Sequence, residues 1–156
     1  MATELGILEQ PLVREALDYY DDFTLFNRAE AFCNQFPKTM NNSQLHGLGN
    51  VAQGTNDFKD IETFIERQCL KLEREMEPHK KWMIDYWINL LKEIRTIRLE
   101  VVEIWKNLKM KHLQELNFDP LIQEKEVEHL VLSLVRSYIN HLISENGMKA
   151  KLHNSY

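Results

Sequence analysis

From Met83 to Leu108 an apolar side chain recurs at alternating intervals of four and three: Met83, Trp87, Leu90, Ile94, Ile97, Val101, Ile104 and Leu108. A strand repeats every two residues and a loop has no period, so only a helix gathers all eight on one face. At 1.5 Å per residue this seam specifies a rod of roughly 39 Å. Trp82, Tyr86, Leu91, Val102 and Trp105 flank it and make the apolar face wider than a two-helix seam needs. The rod is predicted to run from Trp82 to Leu116 (about 35 residues, on helical geometry) and to meet more than one neighbour.

The other segments read as helices gathered around that rod. Pro11 suits a first helical position, and Leu12, Val13, Ala16, Leu17, Tyr20, Phe26, Ala29, Phe32, Cys33 and Phe36 keep a helical period to Pro37. Asp22–Thr24 reads as a break, with Thr24 capping the second piece. Residues 37–43 form a loop ending in an N-cap at Ser43. A short helix follows, with Leu45, Leu48, Val51 and Ala52 inward and Gly54 at its end. Asp57 caps the next helix, whose stripe is Phe58, Ile61, Phe64, Ile65, Cys69, Leu72 and Met76, and Pro78 interrupts it.

After the rod, Asn117–Asp119 turns the chain with Asp119 as cap, and Pro120 opens the last helix. Val127, Val131, Leu134, Tyr138 and Leu142 form its inner face, and Asn146-Gly147 is its predicted stop. The expectation is a single all-α domain over residues 1–156, about five helices in a bundle. The short turn sets the long helix antiparallel to the C-terminal one. Residues 1–9 and 148–156 are expected to fray.

Composition narrows the function classes. A net charge of −5 excludes the whole-protein basic field that drives non-specific nucleic-acid binding. The charge is uneven, however: residues 1–37 hold seven acids against Arg14 and Arg28, while residues 79–116 hold eight Lys and Arg against five acids. Cys33 and Cys69 are the only cysteines, and their separation suggests reduced thiols. With no leader pattern and no apolar run of membrane-spanning length, the expected location is the cytoplasm, without a membrane partner.

Several spellings touch on chemistry. Gly47-Leu-Gly49-Asn-Val-Ala52 has the G-x-G-x-x-A form of a dinucleotide loop, but Met40-Asn41-Asn42-Ser43 before it is no buried strand, so the glycines read as close helix packing. Glu126-x-x-His129 has the spacing of carboxylate-bridged di-metal bundles, which need a second such pair on a facing helix; the chain has none. Asp18, Asp21 and Asp22 could gather a hard cation, but an exposed acidic face explains them with nothing further. No metal and no cofactor are expected. No Gly-x-Ser-x-Gly, Cys-x-x-Cys, His-Glu-x-x-His or P-loop occurs, so an enzyme has no visible machinery.

One segment points the other way. Arg136-Ser-Tyr-Ile-Asn-His141 has the R-x4-H form and resembles the motif of the HEPN ribonucleases, small all-helical proteins. That resemblance implies metal-independent RNA cleavage at a dimer interface, with His141 near the 2′-hydroxyl and Arg136 on the scissile phosphate. Chance supplies about one such match among seven arginines and six histidines, and Arg74 to His79 is a second, with Pro78 inside it.

Arg95, Arg98, Lys106, Lys109 and Lys111 ride the long helix with His112 and Trp105. Such a stripe either follows a phosphate backbone or pairs with acids, for which the acidic first helix is the obvious partner. Trp82, Tyr86 and Trp105 are the candidate residues of a protein interface or homodimer.

Ser43-Gln-Leu-x-Gly-Leu-x-Asn-Val-Ala52 and Asp57-Phe58-x-x-Ile61-x-x-Phe64-Ile65-x-x-Gln68 resemble the small helical subunits of type III CRISPR effectors. The resemblance implies a non-catalytic subunit stacked along a guide RNA–target duplex. The leading expectation is therefore a non-enzymatic helical interaction protein, a subunit of a larger assembly, with RNA as a further candidate partner. A HEPN-like ribonuclease or toxin using Arg136 and His141 is the alternative, and a stand-alone homodimeric scaffold a third.

Overall fold

The structure, a computed structural model, describes the backbone of residues 11–111 and 120–154 and the side chains of 11–111 and 125–152. Helices follow in the order α1 (Pro11–Tyr19), a π-helical segment (Tyr20–Leu25), α2 (Phe26–Asn34), α3 (Asn42–Gly54), α4 (Phe58–Glu75), a 3-10 turn (Pro78–Lys80), α5 (Lys81–Lys111) and α6 (Pro120–Asn154). The flanks of the π segment keep right-handed helical dihedrals, so α1, the π segment and α2 are one rod. The bundle is five rods, all helical among the described residues.

The long seam is buried where it was expected to be. Trp87, Leu90, Ile94, Ile97 and Val101 are fully enclosed, and Met83, Ile104 and Leu108 pack against the core as partly buried residues. Tyr86 and Trp105 extend the buried face sideways, which lets α5 contact α4, α6 and α1 together. Arg98 meets Glu128, while Tyr86 lies at the Cys33–Leu142 end, so α5 and α6 run antiparallel. The expected end of the rod beyond Lys111 and the turn at Asn117–Asp119 lie outside the described residues.

The rod from Pro11 to Asn34 departs from expectation. Asp22–Thr24 is not a break, and Thr24 caps nothing; the chain passes through as a π turn. The buried positions explain why: Val13, Leu17, Tyr20, Leu25, Ala29 and Phe32 step by four, three, five, four and three. A step of five overshoots an α-turn by one residue, and a π turn absorbs it while both halves keep their faces to the core. Leu25 takes the inward place, and Phe26, expected inward, is 41 % exposed.

Three further boundaries differ. Asn41, not Ser43, caps α3; its Oδ1 accepts from the Ser43 backbone N–H at 2.9 Å. Met76 is not part of the α4 stripe; it is the α4 C-cap, in the left-handed region at φ 51°, and lies in solvent. Asn146-Gly147 does not end α6, and residues 148–154, expected as a frayed tail, are helical.

Tertiary hydrogen bonds explain that last reversal. Buried Asn146 accepts from the Met40 N–H at 2.9 Å and donates to the Met40 carbonyl at 3.0 Å, pairing both backbone groups of a loop residue. One turn on, the Lys149 ammonium donates to the carbonyls of Cys33 and Phe36, closing the C-terminal end of α2.

Between α4 and α6 sits α3, and its glycines make the fit. A Cβ on Gly49 would stand 3.0 Å from Ile143 Cδ1, and one on Gly47 would stand 3.2 Å from the Phe64 ring. Both glycines lie within the helix and away from any strand, so close packing accounts for them.

Candidate functional site

The R-x4-H residues sit on α6 and point to different neighbours. The Arg136 guanidinium donates from Nε to the Ala52 carbonyl and from Nη2 to the Thr55 carbonyl, both at 2.6 Å. These acceptors are at the C-terminal end of α3, where helical carbonyls lack partners and the dipole favours a cation. Arg136 thus caps α3. His141 faces the opposite side of α6, toward the π segment.

There Asp21 collects two partners. Its Oδ1 lies 2.9 Å from His141 Nε2, and its Oδ2 accepts from the Ser137 hydroxyl at 3.0 Å. Ser137 and His141 are one turn apart on α6, and the π turn places Asp21 between them. Phe26 packs its ring against the His141 imidazole at 5.7 Å and 86°. A cleft of about 410 Å³ opens beside the group, lined by Arg14, Leu17, Asp18, Asp21, Ser133 and Ser137 among others.

An Asp21 carboxylate accepting from Nε2–H leaves the neutral ring with its lone pair on Nδ1, the polarity a general base needs. Ser137, however, donates to Asp21 and not to the imidazole. The three residues are not a nucleophile–base relay.

The long helix divides its cations among several faces. Arg95 bonds Glu62 at 2.7 Å and reaches Glu66 at 3.5 Å on α4. Arg98 bonds Glu128 of α6 at 2.8 Å and stacks over the Phe58 ring at 4.7 Å. Lys106 and Lys111 are exposed, and Lys109 is half-buried. The acidic first rod does not receive Arg95 or Arg98. The charge sense is the reverse: Arg28 of α2 meets Glu93 at 3.8 Å and bonds Glu100, both on α5. Tyr20 donates to the same Glu100 at 2.7 Å, and burial together with that carboxylate pushes its phenol well above the usual range. Burial also raises the Glu93 carboxyl above its ordinary value, against the opposing pull of Arg28.

Of the expected interface residues, Tyr86 and Trp105 belong to the core, at 1 % and 5 % exposure, so they offer no outward surface. Trp82 is half-buried, in an aromatic group with Phe36 and Tyr86. No three of His, Cys, Asp and Glu gather as a metal site among the described residues. His129 is exposed and Glu126 half-buried. No described helix is long and apolar enough to cross a membrane.

The outward side of the first rod is aromatic, which the amino-acid order did not announce. Tyr19 and Phe23, 66 % and 58 % exposed, stack at 5.5 Å with their planes 14° apart. Beside Tyr19 runs a groove of about 590 Å³ walled by Leu12, Glu15, Ala16, Tyr20, Thr24 and Ile104. Its only sequence signal was the step of five that turns the helix at Tyr20. No family model, no curated protein and no solved structure matches the chain.

Proposed function

We propose that the chain is a non-enzymatic helical interaction protein, a subunit of a larger assembly that it joins through the aromatic side of α1 and the π segment. The observation that carries the reading is the exposed Tyr19–Phe23 stack beside an apolar groove. Two rings held against each other in water keep little conformational entropy to lose, and each new aromatic pair made with a partner adds about 0.5–1.5 kcal/mol beyond the buried area. The polar side chains that could have served chemistry are engaged in holding helices together: Arg136 on α3, Ser137 and His141 on the π segment. The resemblance of residues 43–68 makes a type III CRISPR effector the most specific candidate assembly.

The test is co-assembly with the products of neighbouring genes, read by native mass spectrometry. Tyr19→Ser with Phe23→Ser should keep the urea midpoint and lose the complex. A double variant that assembles normally, or a wild-type chain that joins nothing, overturns the reading.

The HEPN-like ribonuclease remains the second reading, on one observation: Asp21 orients the His141 ring and Nδ1 makes no hydrogen bond among the described residues. Its requirement for Arg136 on a phosphate competes with two short bonds to the α3 carbonyls. Cleavage of structured RNA abolished by His141→Ala would favour it over the subunit.

A further inference from the structure

The cations of α4 gather on one side of the helix. Arg28, Arg95, Arg98 and Lys80 each reach a carboxylate. Lys59, Arg67, Lys71 and Arg74 are all exposed, and none forms an ion pair within 4 Å with a described residue. At 100° per residue the four fall within an arc of about 120°, opposite the buried Phe58, Ile61, Ile65 and Leu72.

The acids of the same helix should cancel this charge but are engaged elsewhere. Glu62 and Glu66 turn to Arg95 of α5, Asp60 accepts the Thr55 hydroxyl at 2.6 Å, and Glu75 is bonded to Lys80 at 2.9 Å. Lys71 still acts on Glu75 through space, and Lys80 and Lys71 together hold that carboxyl below its usual range. Among the described residues Asp60 and Glu73 carry no ion pair, and Asp60 stands beside Lys59 at one end of the ridge, away from Arg67, Lys71 and Arg74. Packing α4 against α5 thus converts a helix with more acids than bases into a cationic ridge.

We infer that this ridge binds the phosphodiester backbone of a single-stranded nucleic acid, without reading its sequence. A ridge from Lys59 to Arg74 spans about 22 Å, and Arg67, Lys71 and Arg74 follow one another at axial steps of about 6 and 4.5 Å, close enough to meet successive phosphates. Leu70, half exposed between them, offers an apolar surface for sugar or base. A depression of about 580 Å³ lies along Arg67, Leu70, Lys71, Arg74 and Glu75. On the long helix Arg95 and Arg98 are taken by acids on two neighbours, and the exposed Lys81, Lys92 and Lys106 stand about 16 and 21 Å apart along the axis, too far to meet successive phosphates. The inference is independent of the aromatic interface, which lies on another helix.

The test is fluorescence anisotropy of the full chain with a fluorescein-labelled, unstructured 30-nucleotide RNA and with DNA of the same sequence, from 25 to 200 mM salt. Three or four phosphate contacts predict a slope of log K against log salt of about −2 to −3 for single strands. Arg67→Glu, Lys71→Glu and Arg74→Glu together should weaken binding at least tenfold, and Gln at the same three positions should weaken it less. Lys81→Glu, Lys92→Glu and Lys106→Glu on α5 change the net charge equally and should weaken binding less than threefold. Equal binding of RNA and DNA supports backbone recognition alone, and tighter RNA binding supports the ridge with an added 2′-hydroxyl contact. Failure of the wild-type chain to bind either strand at 25 mM salt overturns the inference, as does an α5 variant as weak as the ridge variant. Neither result bears on co-assembly through Tyr19 and Phe23.

Discussion

Arg136 separates structure from chemistry, because the two roles proposed for it respond differently to one substitution. Arg136→Met keeps much of the side-chain volume and removes both donors to the α3 carbonyls of Ala52 and Thr55. Hydrogen bonds from a charged donor contribute about 1.5–3 kcal/mol each, and a half-buried site argues for the low end, so the loss should be about 3 kcal/mol. With a urea dependence of about 2 kcal/mol per molar, the unfolding midpoint falls by about 1.5 M. Arg136→Lys, which brings one ammonium to two divergent carbonyls, should recover about half of that.

His141→Ala provides the control. Its partner Asp21 is on the π segment and not on α3, so the two losses should add within about 0.5 kcal/mol in a double-mutant cycle. A midpoint for Arg136→Met within 0.3 M of wild type (about 0.6 kcal/mol on the same slope) would refute the capping argument. So would strong non-additivity with His141, the behaviour of residues acting as one unit.

Other substitutions probe the same packing. Asn146→Ala should cost about 2–5 kcal/mol, since it strands both backbone groups of Met40 away from solvent. Asn146→Asp keeps the acceptor but sets a carboxylate against the Met40 carbonyl, and its protonated form can donate there. Its urea midpoint, compared with wild type, should therefore recover as the pH falls from 7.5 to 4.5. Glu93 has a raised folded pKa, so the stability tied to its protonated form is present below the usual carboxylate value and lost as pH rises through the folded one. Glu93→Gln should accordingly flatten the pH dependence above about pH 4.5, with a gain at pH 7 below about 1 kcal/mol because the Arg28 contact is lost with the charge. Burial pushes the Cys33 thiol up to about 11, and Cys69 is raised as well but only half-buried. Iodoacetamide at pH 8 should therefore alkylate Cys69 well before Cys33 in the native protein, as peptide mapping would show.

How far the amino-acid order reached follows the range of the interactions involved. The α5 seam and the Asp57 cap are local patterns, and the structure carries each where it was read. Local signals failed where distant partners outvoted them. Asn146-Gly147 spells a helix stop, yet hydrogen bonds to Met40, more than a hundred residues away, hold α6 straight through it. Asp22–Thr24 looks like a break because three residues without a strong inward face stand together, whereas the Asp21 bonds to Ser137 and His141 and the inward Leu25 keep the rod whole. The basic stripe of α5 could be spelled but not assigned, since which carboxylates meet Arg95 and Arg98 depends on how α4 and α6 dock. The α4 ridge was unreadable for the same reason, because Glu62 and Glu66 are taken up by Arg95 of α5 and Glu75 by Lys80 of the 3-10 turn.

The extra residue held in Tyr20–Leu25 fixes the azimuth of everything before it. Deleting one residue there would restore steps of four and three in an ordinary α-helix and leave both faces inward, but with the residue kept and α geometry imposed the preceding turns would swing by about 100° about the axis. Val13 and Leu17 would then rotate out of the core, and the stacked rings would aim at a different quadrant of space. The bearing of that end of the molecule is thus set by a count of residues more than by their kind.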